Sequence, residues 1–130
     1  YLEEELHEYS HRNAFLYRKF KFVLCFENSS HPGYLTEKLL YAMFANAIPI
    51  YWGNPDIGTI FNEKAFINVH SYKSFDDVIE KVKELDQDDD KYKQMLQEPW
   101  VTNNIITDNW RISNGFLTKQ EVADRLNITL

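Results

Sequence analysis

Between Lys19 and Gly53 the hydrophobic and polar positions fall into the order strand, loop, helix, strand. Phe20 to Phe26 alternates and then becomes almost wholly apolar, which predicts a central parallel strand buried on both faces. Glu27 to Leu35 carries Asn, Ser, Pro and Gly, so the strand ends there and a loop follows. From Thr36 to about Asn46, Leu39, Leu40, Met43, Phe44 and Ala47 share one helical stripe. Thr36 is the expected N-cap, and Glu37 suits the positive end of the helix dipole. Ile48 to Trp52 is a short strand, in which the donor-less Pro49 must sit at the start or at an edge.

The rest of the chain is read the same way. Gly53-Asn54-Pro55-Asp56 marks a turn, with a short helical piece through Phe61, and Phe66 to Val69 is a third strand. Ser74 to Leu85 gives the cleanest helical period, with Phe75, Val78, Ile79, Val82 and Leu85 on one face. Ser74 with Asp77 resembles a capping box. A further helix spans Asp89 to Gln97 and stops at Pro99. Leu2 to Tyr17 and Thr118 to Leu126 are weaker helical patterns around an Asn-rich irregular stretch. The resulting division is a connecting helix or cut edge over 1–18, a Rossmann-like domain over 19–99 and a tail over 100–130.

Composition narrows the partners. The 130 residues carry a net charge of −6, which disfavours a nucleic-acid partner because phosphate binding leaves a basic footprint. Nine Phe, eight Tyr and three Trp fit a globular core with polar-tipped rings near a ligand. The single cysteine, Cys25, rules out an internal disulfide and lies within an apolar strand, where a buried inert thiol is expected. No run approaches the roughly 18 apolar residues that a membrane span needs, and no signal peptide is visible. The first residue is Tyr, so the chain is expected to be part of something longer.

Ligands of an open α/β sheet collect at the carboxyl ends of its strands, here Glu27-Asn28-Ser29, Gly53-Asn54 and His70-Ser71. Opposite the first end lies the helix start, whose amides and Lys38 suit a diphosphate. Glu37 would repel phosphate, and makes better sense bonding ribose or sugar hydroxyls. Tyr34 offers a ring face and a phenol, and Asn28 an amide. Phosphate donors beside hydroxyl acceptors describe a sugar-nucleotide site. The same residues also fit a solvated ion pair on a helix face and a plain turn at Asn28-Ser29.

Other signals have structural explanations at hand. Asp86-Gln87-Asp88 matches the Asp-x-Asp pattern of metal-dependent transferases but reads equally as a solvated acidic turn. His7, His11, His31 and His70 lack a metal-ligand spacing, and His31 is placed for a minor contact in the loop. Asn28-Ser29-Ser30 and Asn127-Ile128-Thr129 match the glycosylation sequon. Trp52, Trp100 and Trp110 could stack on a sugar, with core or rim packing expected for Trp52.

The run FENSSHPGYLTEKLLYAMFANAIPIYWG resembles the signature of the α1,3/1,4-fucosyltransferases, glycosyltransferase family ten. Its parts stand here as Phe26-Glu27-Asn28-Ser29, Tyr34-Leu35-Thr36-Glu37-Lys38 and Ile48-Pro49-Ile50 with Gly53. The similarity extends over roughly Lys19 to Pro99. It implies an α/β, Rossmann-like parallel sheet with flanking helices, the C-terminal donor-binding half of an inverting two-domain GT-B glycosyltransferase. The donor substrate implied is GDP-fucose, with no cofactor and no metal, and the acceptor a GlcNAc or glucose unit of a glycan. Asn28, Tyr34, Glu37 and Lys38 fall on donor-site positions: Lys38 on the diphosphate, Glu37 on hydroxyls and the charge developing at the anomeric carbon, Tyr34 and Asn28 orienting the nucleotide sugar. The general base and a phosphate-binding arginine belong to the missing N-terminal acceptor domain and upstream chain, since Arg12 and Arg18 do not match the arginine's spacing. This fragment alone is expected to bind donor weakly and not to turn over. The wording Ile-Pro-Ile-Tyr-Trp-Gly and the lone cysteine suggest a bacterial, cytoplasmic enzyme acting on surface polysaccharide, membrane-associated only through parts not present; a eukaryotic member would be a Golgi protein. A transferase using another sugar nucleotide, or a non-catalytic carbohydrate- or nucleotide-binding module, are the alternatives.

Overall fold

The computed structural model describes residues 16–101. The helical patterns over Leu2–Tyr17 (apart from its last two residues) and Thr118–Leu126 lie outside the described residues, as do His7, His11, Arg12, Trp110 and the sequon at Asn127. The described elements are β1 (Phe22–Phe26), α1 (Lys38–Phe44), β2 (Ile48–Trp52), a 3-10 turn (Ile57–Thr59), β3 (Ile67–Asn68), a second 3-10 turn (Val69–Ser71), α2 (Phe75–Gln87) and α3 (Asp89–Gln97). The strands form one parallel sheet in the order β1-β2-β3. This is the α/β class expected, a parallel sheet with flanking helices.

Among the described residues the middle strand is β2, not β1. Ile48 to Tyr51 are all buried, whereas β1 alternates, with Val23 and Cys25 inside and Leu24 68% exposed. Among the described residues β1 pairs with β2 alone. Phe20 lies outside the strand, in a turn where its N–H donates to the Tyr17 carbonyl at 3.0 Å. Pro49 is the second residue of β2, facing Val23 across the ladder. Ile48 donates towards the β1 side, to Lys21 O at 2.8 Å, so the alternation of the strand turns the Pro49 nitrogen towards β3. Pairing with β3 begins only at Ile50↔Ile67, and no ladder bond is forfeited there.

Two apolar layers sandwich the sheet. On one face α1 buries Leu39, Leu40, Ala42 and Met43 against Val23, Cys25, Tyr51, Phe61 and Phe66. On the other, Val78 and Leu85 of α2 pack on Ile48, Ile50 and Ile67. α1 is hydrophobic almost all round because it is buried almost all round. It covers seven residues, shorter than the expected Thr36–Asn46, because Asn46 adopts φ 56 and turns the chain into β2. Phe44, expected on the buried stripe, is half-buried and meets Trp100 at a ring distance of 5.4 Å. The chain beyond Pro99 rejoins this core: Val101 is buried and bridges Phe61.

α2 begins as its sequence predicts, the Ser74 hydroxyl accepting the Asp77 N–H at 3.2 Å. Its buried stripe is narrower than the periodicity suggests, since Phe75 and Ile79 are 61% and 49% exposed. Asp88 caps α3 by accepting the N–H groups of Asp90 and Lys91, each at 3.1 Å.

Candidate active site at the carboxyl edge of the sheet

Three strand ends converge on one edge, and the loop from Glu27 to Glu37 crosses it. Glu27 closes that loop. Its carboxylate, fully buried, accepts the Thr36 N–H at 3.1 Å on Oε1 and the Thr36 hydroxyl at 2.7 Å on Oε2. The Lys38 ammonium lies 3.6 Å from the same Oε2, with a third of its side chain exposed. Asn28 and Glu37-Lys38 thereby stand at the two mouths of one closed loop. Glu37, not Thr36, occupies the N-cap position and makes no side-chain cap bond, while the Thr36 hydroxyl donates to Glu27 and its oxygen accepts the Lys38 N–H at 3.5 Å. The Thr36 amide is likewise spent on Glu27. The Lys38 side chain adds a full positive charge at this helix start.

The middle of the loop is tied to β2. Asn54 is buried, and its Oδ1 accepts N–H groups from Gly33 at 3.3 Å and Asp56 at 2.9 Å. Its own N–H donates to the Tyr51 phenol at 3.1 Å. The Ser30 hydroxyl donates to the Gly53 carbonyl at 2.6 Å, and His70 Nε2 stands 3.0 Å from the same oxygen. The His70 ring stacks on Trp52, centroids 5.9 Å apart. Tyr34 packs on His31 at 4.8 Å, and its ring is half-buried, so both a face and an edge are held in place. Asn28 is exposed.

Of the residues the sequence singles out, Lys38 and Glu37 sit at the closed loop and Tyr34 within it. Glu27, Gly53 and Asn54 were named as strand ends and Ser30 within a sequon, without a role in the site, yet they build the loop's shape. For Glu27 a signal existed: an acid placed directly after an apolar run, at the carboxyl end of a strand, must be either exposed or paired. The Asp86-Gln87-Asp88 motif sits away from this edge and serves structure, Asp86 bonding Lys21 at 2.9 Å just before β1 and Asp88 capping α3. Among the described residues no three His, Cys, Asp or Glu side chains gather to hold a metal ion.

The floor of the site is set to stay neutral. Burial pushes the Cys25 thiol from 9.0 up to about 12, Glu27 adding to the rise and Lys38 opposing it. Burial likewise lifts the Tyr51 phenol to about 12, against the lowering effect of the Asn54 N–H. Both groups hold their protons more tightly folded than unfolded, so the stability they contribute is complete below their unfolded values and lost on approach to the folded ones. Urea unfolding is therefore expected to become easier between about pH 9 and about pH 12, and iodoacetamide should leave Cys25 unmodified near neutral pH until the protein is unfolded. Rapid alkylation of the native protein would overturn the buried placement.

The family profile described as "Glycosyltransferase family 10 (fucosyltransferase) C-term" matches residues 4–123. Over 87 residues the chain is 47% identical to the α-(1,3)-fucosyltransferase FucT of Helicobacter pylori, an alignment covering 67% of this chain and 18% of that protein. A crystal structure of an α1,3-fucosyltransferase with GDP superposes with a TM-score of 0.65 at 44% identity, covering 66% of this chain and 25% of that one. Another, with GDP-fucose, reaches a TM-score of 0.68 at 35% identity, covering 88% and 33%. The chain thus spans about a fifth of the length of the Helicobacter relative and a quarter to a third of the solved ones. Profile, sequence and fold agree, and the chain belongs to glycosyltransferase family 10, within the fucosyltransferase C-terminal domain.

Proposed function

We propose that this chain is the donor-binding domain of an inverting GT-B fucosyltransferase that takes fucose from GDP-fucose. The observation that carries the reading is the closed loop at the carboxyl edge, where Lys38 stands beside Glu27 with Glu37 next to it. Solved relatives that hold GDP or GDP-fucose support it. Lys38 would neutralise the diphosphate as it departs. Glu37 would hold donor hydroxyls and favour the positive charge developing at the anomeric carbon, while Tyr34 and Asn28 orient the nucleotide. In the transfer the bond from the anomeric carbon to phosphate oxygen breaks and GDP leaves with the electron pair. The acceptor oxygen bonds the same carbon from the opposite face, and its proton passes to a carboxylate contributed by another domain.

The acceptor is read as a GlcNAc or glucose unit of a surface glycan such as lipopolysaccharide, and the setting as the bacterial cytoplasm. No described helix is long and apolar enough to cross a membrane. Isothermal titration of the full-length protein with GDP, GDP-fucose, a different sugar nucleotide and free glycan tests the reading. Saturable binding of GDP and GDP-fucose is expected. Binding of free glycan without any nucleotide would replace the enzyme reading with a carbohydrate-binding module, and preference for another base would move the activity to another donor.

A further inference from the structure

Glu27 uses both carboxylate oxygens on Thr36, one accepting the N–H and the other the hydroxyl, whereas a glutamine could accept only the N–H and would turn an NH2 donor towards the hydroxyl. A fully buried carboxylate is costly unless paired, and here the cation beside it is Lys38 at 3.6 Å. The pair is one-sided: Glu27 is sealed from solvent, whereas a third of the lysine side chain remains open. The ammonium is thus held from below by the Glu27 Oε2 and by the Thr36 hydroxyl oxygen, 3.5 Å away, and presented outwards. The sheet is built around this arrangement, since Gly53 leaves the space into which the Glu27 methylenes pack.

We propose that Glu27 is a positioning residue for the donor diphosphate, acting through Lys38: its buried charge holds the long, flexible lysine in the one place where a departing diphosphate meets it. The role rests on the donor reading above. It differs from that of a plain brace, because a brace would stabilise the loop whether or not Lys38 is present.

A double-mutant cycle read by GDP titration of the full-length protein separates the two. Glu27→Gln keeps the side chain's shape and the bond from the Thr36 N–H while removing the charge and the acceptor of the Thr36 hydroxyl, a loss that is the same in both backgrounds and cancels in the cycle. It is expected to weaken GDP binding roughly tenfold with Lys38 in place, and to change it little in a Lys38→Ala background. Melting temperatures measured in parallel report the bracing contribution. A Glu27→Gln protein with lowered melting temperature but wild-type GDP affinity would reduce Glu27 to a brace and overturn the proposal, leaving the donor reading intact. An equal loss in both backgrounds would overturn it too, because Glu27 would then act without Lys38. Failure of the wild-type protein to bind GDP would instead remove the donor reading on which the role depends.

Discussion

Replacing Lys38 by alanine in the full-length protein is expected to lower fucosyl transfer by about 100-fold to 1000-fold, the loss typical when one preorganised group facing developing charge is removed. Stability should fall as well. The ammonium is the cation placed against the buried Glu27 carboxylate, and a buried charge deprived of its partner costs about 2 kcal/mol or more. Activity loss in Lys38→Ala alone is therefore ambiguous between chemistry and unfolding. The double variant Glu27→Gln/Lys38→Ala removes both charges at once and leaves a neutral amide whose oxygen still accepts the Thr36 N–H. It should recover most of the stability in urea titrations and none of the transfer rate. Glu37→Ala provides an independent arm, with a rate loss of similar order and a smaller stability cost, since Glu37 is half-exposed at the helix start. Near-normal turnover in Lys38→Ala would remove Lys38 from the diphosphate and with it the account of this edge.

Local order was readable where one residue decides one bond. Ser74 caps the helix it precedes, as its spacing to Asp77 predicts, and that bond depends on nothing distant in the chain; Asp88, read only as part of an acidic turn, caps α3 by equally local bonds. The burial of β1 was not readable in the same way. Phe20 to Phe26 is apolar enough for a central strand, but centrality depends on which strands lie on either side, and the apolar run is silent about that. The start of α1 shifted for a related reason. A carboxylate nine residues earlier in sequence anchors Thr36 by its amide and its hydroxyl proton, so Glu37 takes the capping position and the Thr36 oxygen meets the Lys38 N–H only at 3.5 Å. Lys38 and Glu37 were legible because charged groups at the start of a helix behind a strand invite an anion or a hydroxyl ligand. Glu27 was passed over because its partner emerges only once the loop has closed. The signature run named Gly53 without giving its cause, and the cause is steric.

Gly53→Ala is expected to destabilise the protein by about 3 kcal/mol, at the upper end of what overpacking costs, and to depress transfer with it. A methyl group on Gly53 would stand 2.7 Å from the Glu27 Cβ, 2.8 Å from the Tyr51 hydroxyl and closer still to the Glu27 Cγ. None of these atoms can move aside freely. The Glu27 methylenes are held at one end by the strand, where the Glu27 N–H donates to Trp52 O at 2.8 Å, and at the other by Thr36. Tyr51 is fully buried and its hydroxyl accepts from Asn54. Relief requires the carboxylate to swing off Thr36 and Lys38, or the end of β2 to part from β1. Gly58→Ala is the natural comparison. Its added carbon would meet the Glu63 Oε2 at 2.8 Å and Cδ at 2.9 Å, on an exposed side chain whose turning away would release only the bonds from Asn68 and Ser71, so the cost should be about 1 kcal/mol, well below that at Gly53. Urea denaturation of both variants, with transfer rates measured alongside, distinguishes a general intolerance of added carbon from the specific crowding of Glu27. Equal stability of the two variants would mean that the carboxylate is not held as described, and the closed loop that presents Lys38 would lose its physical basis.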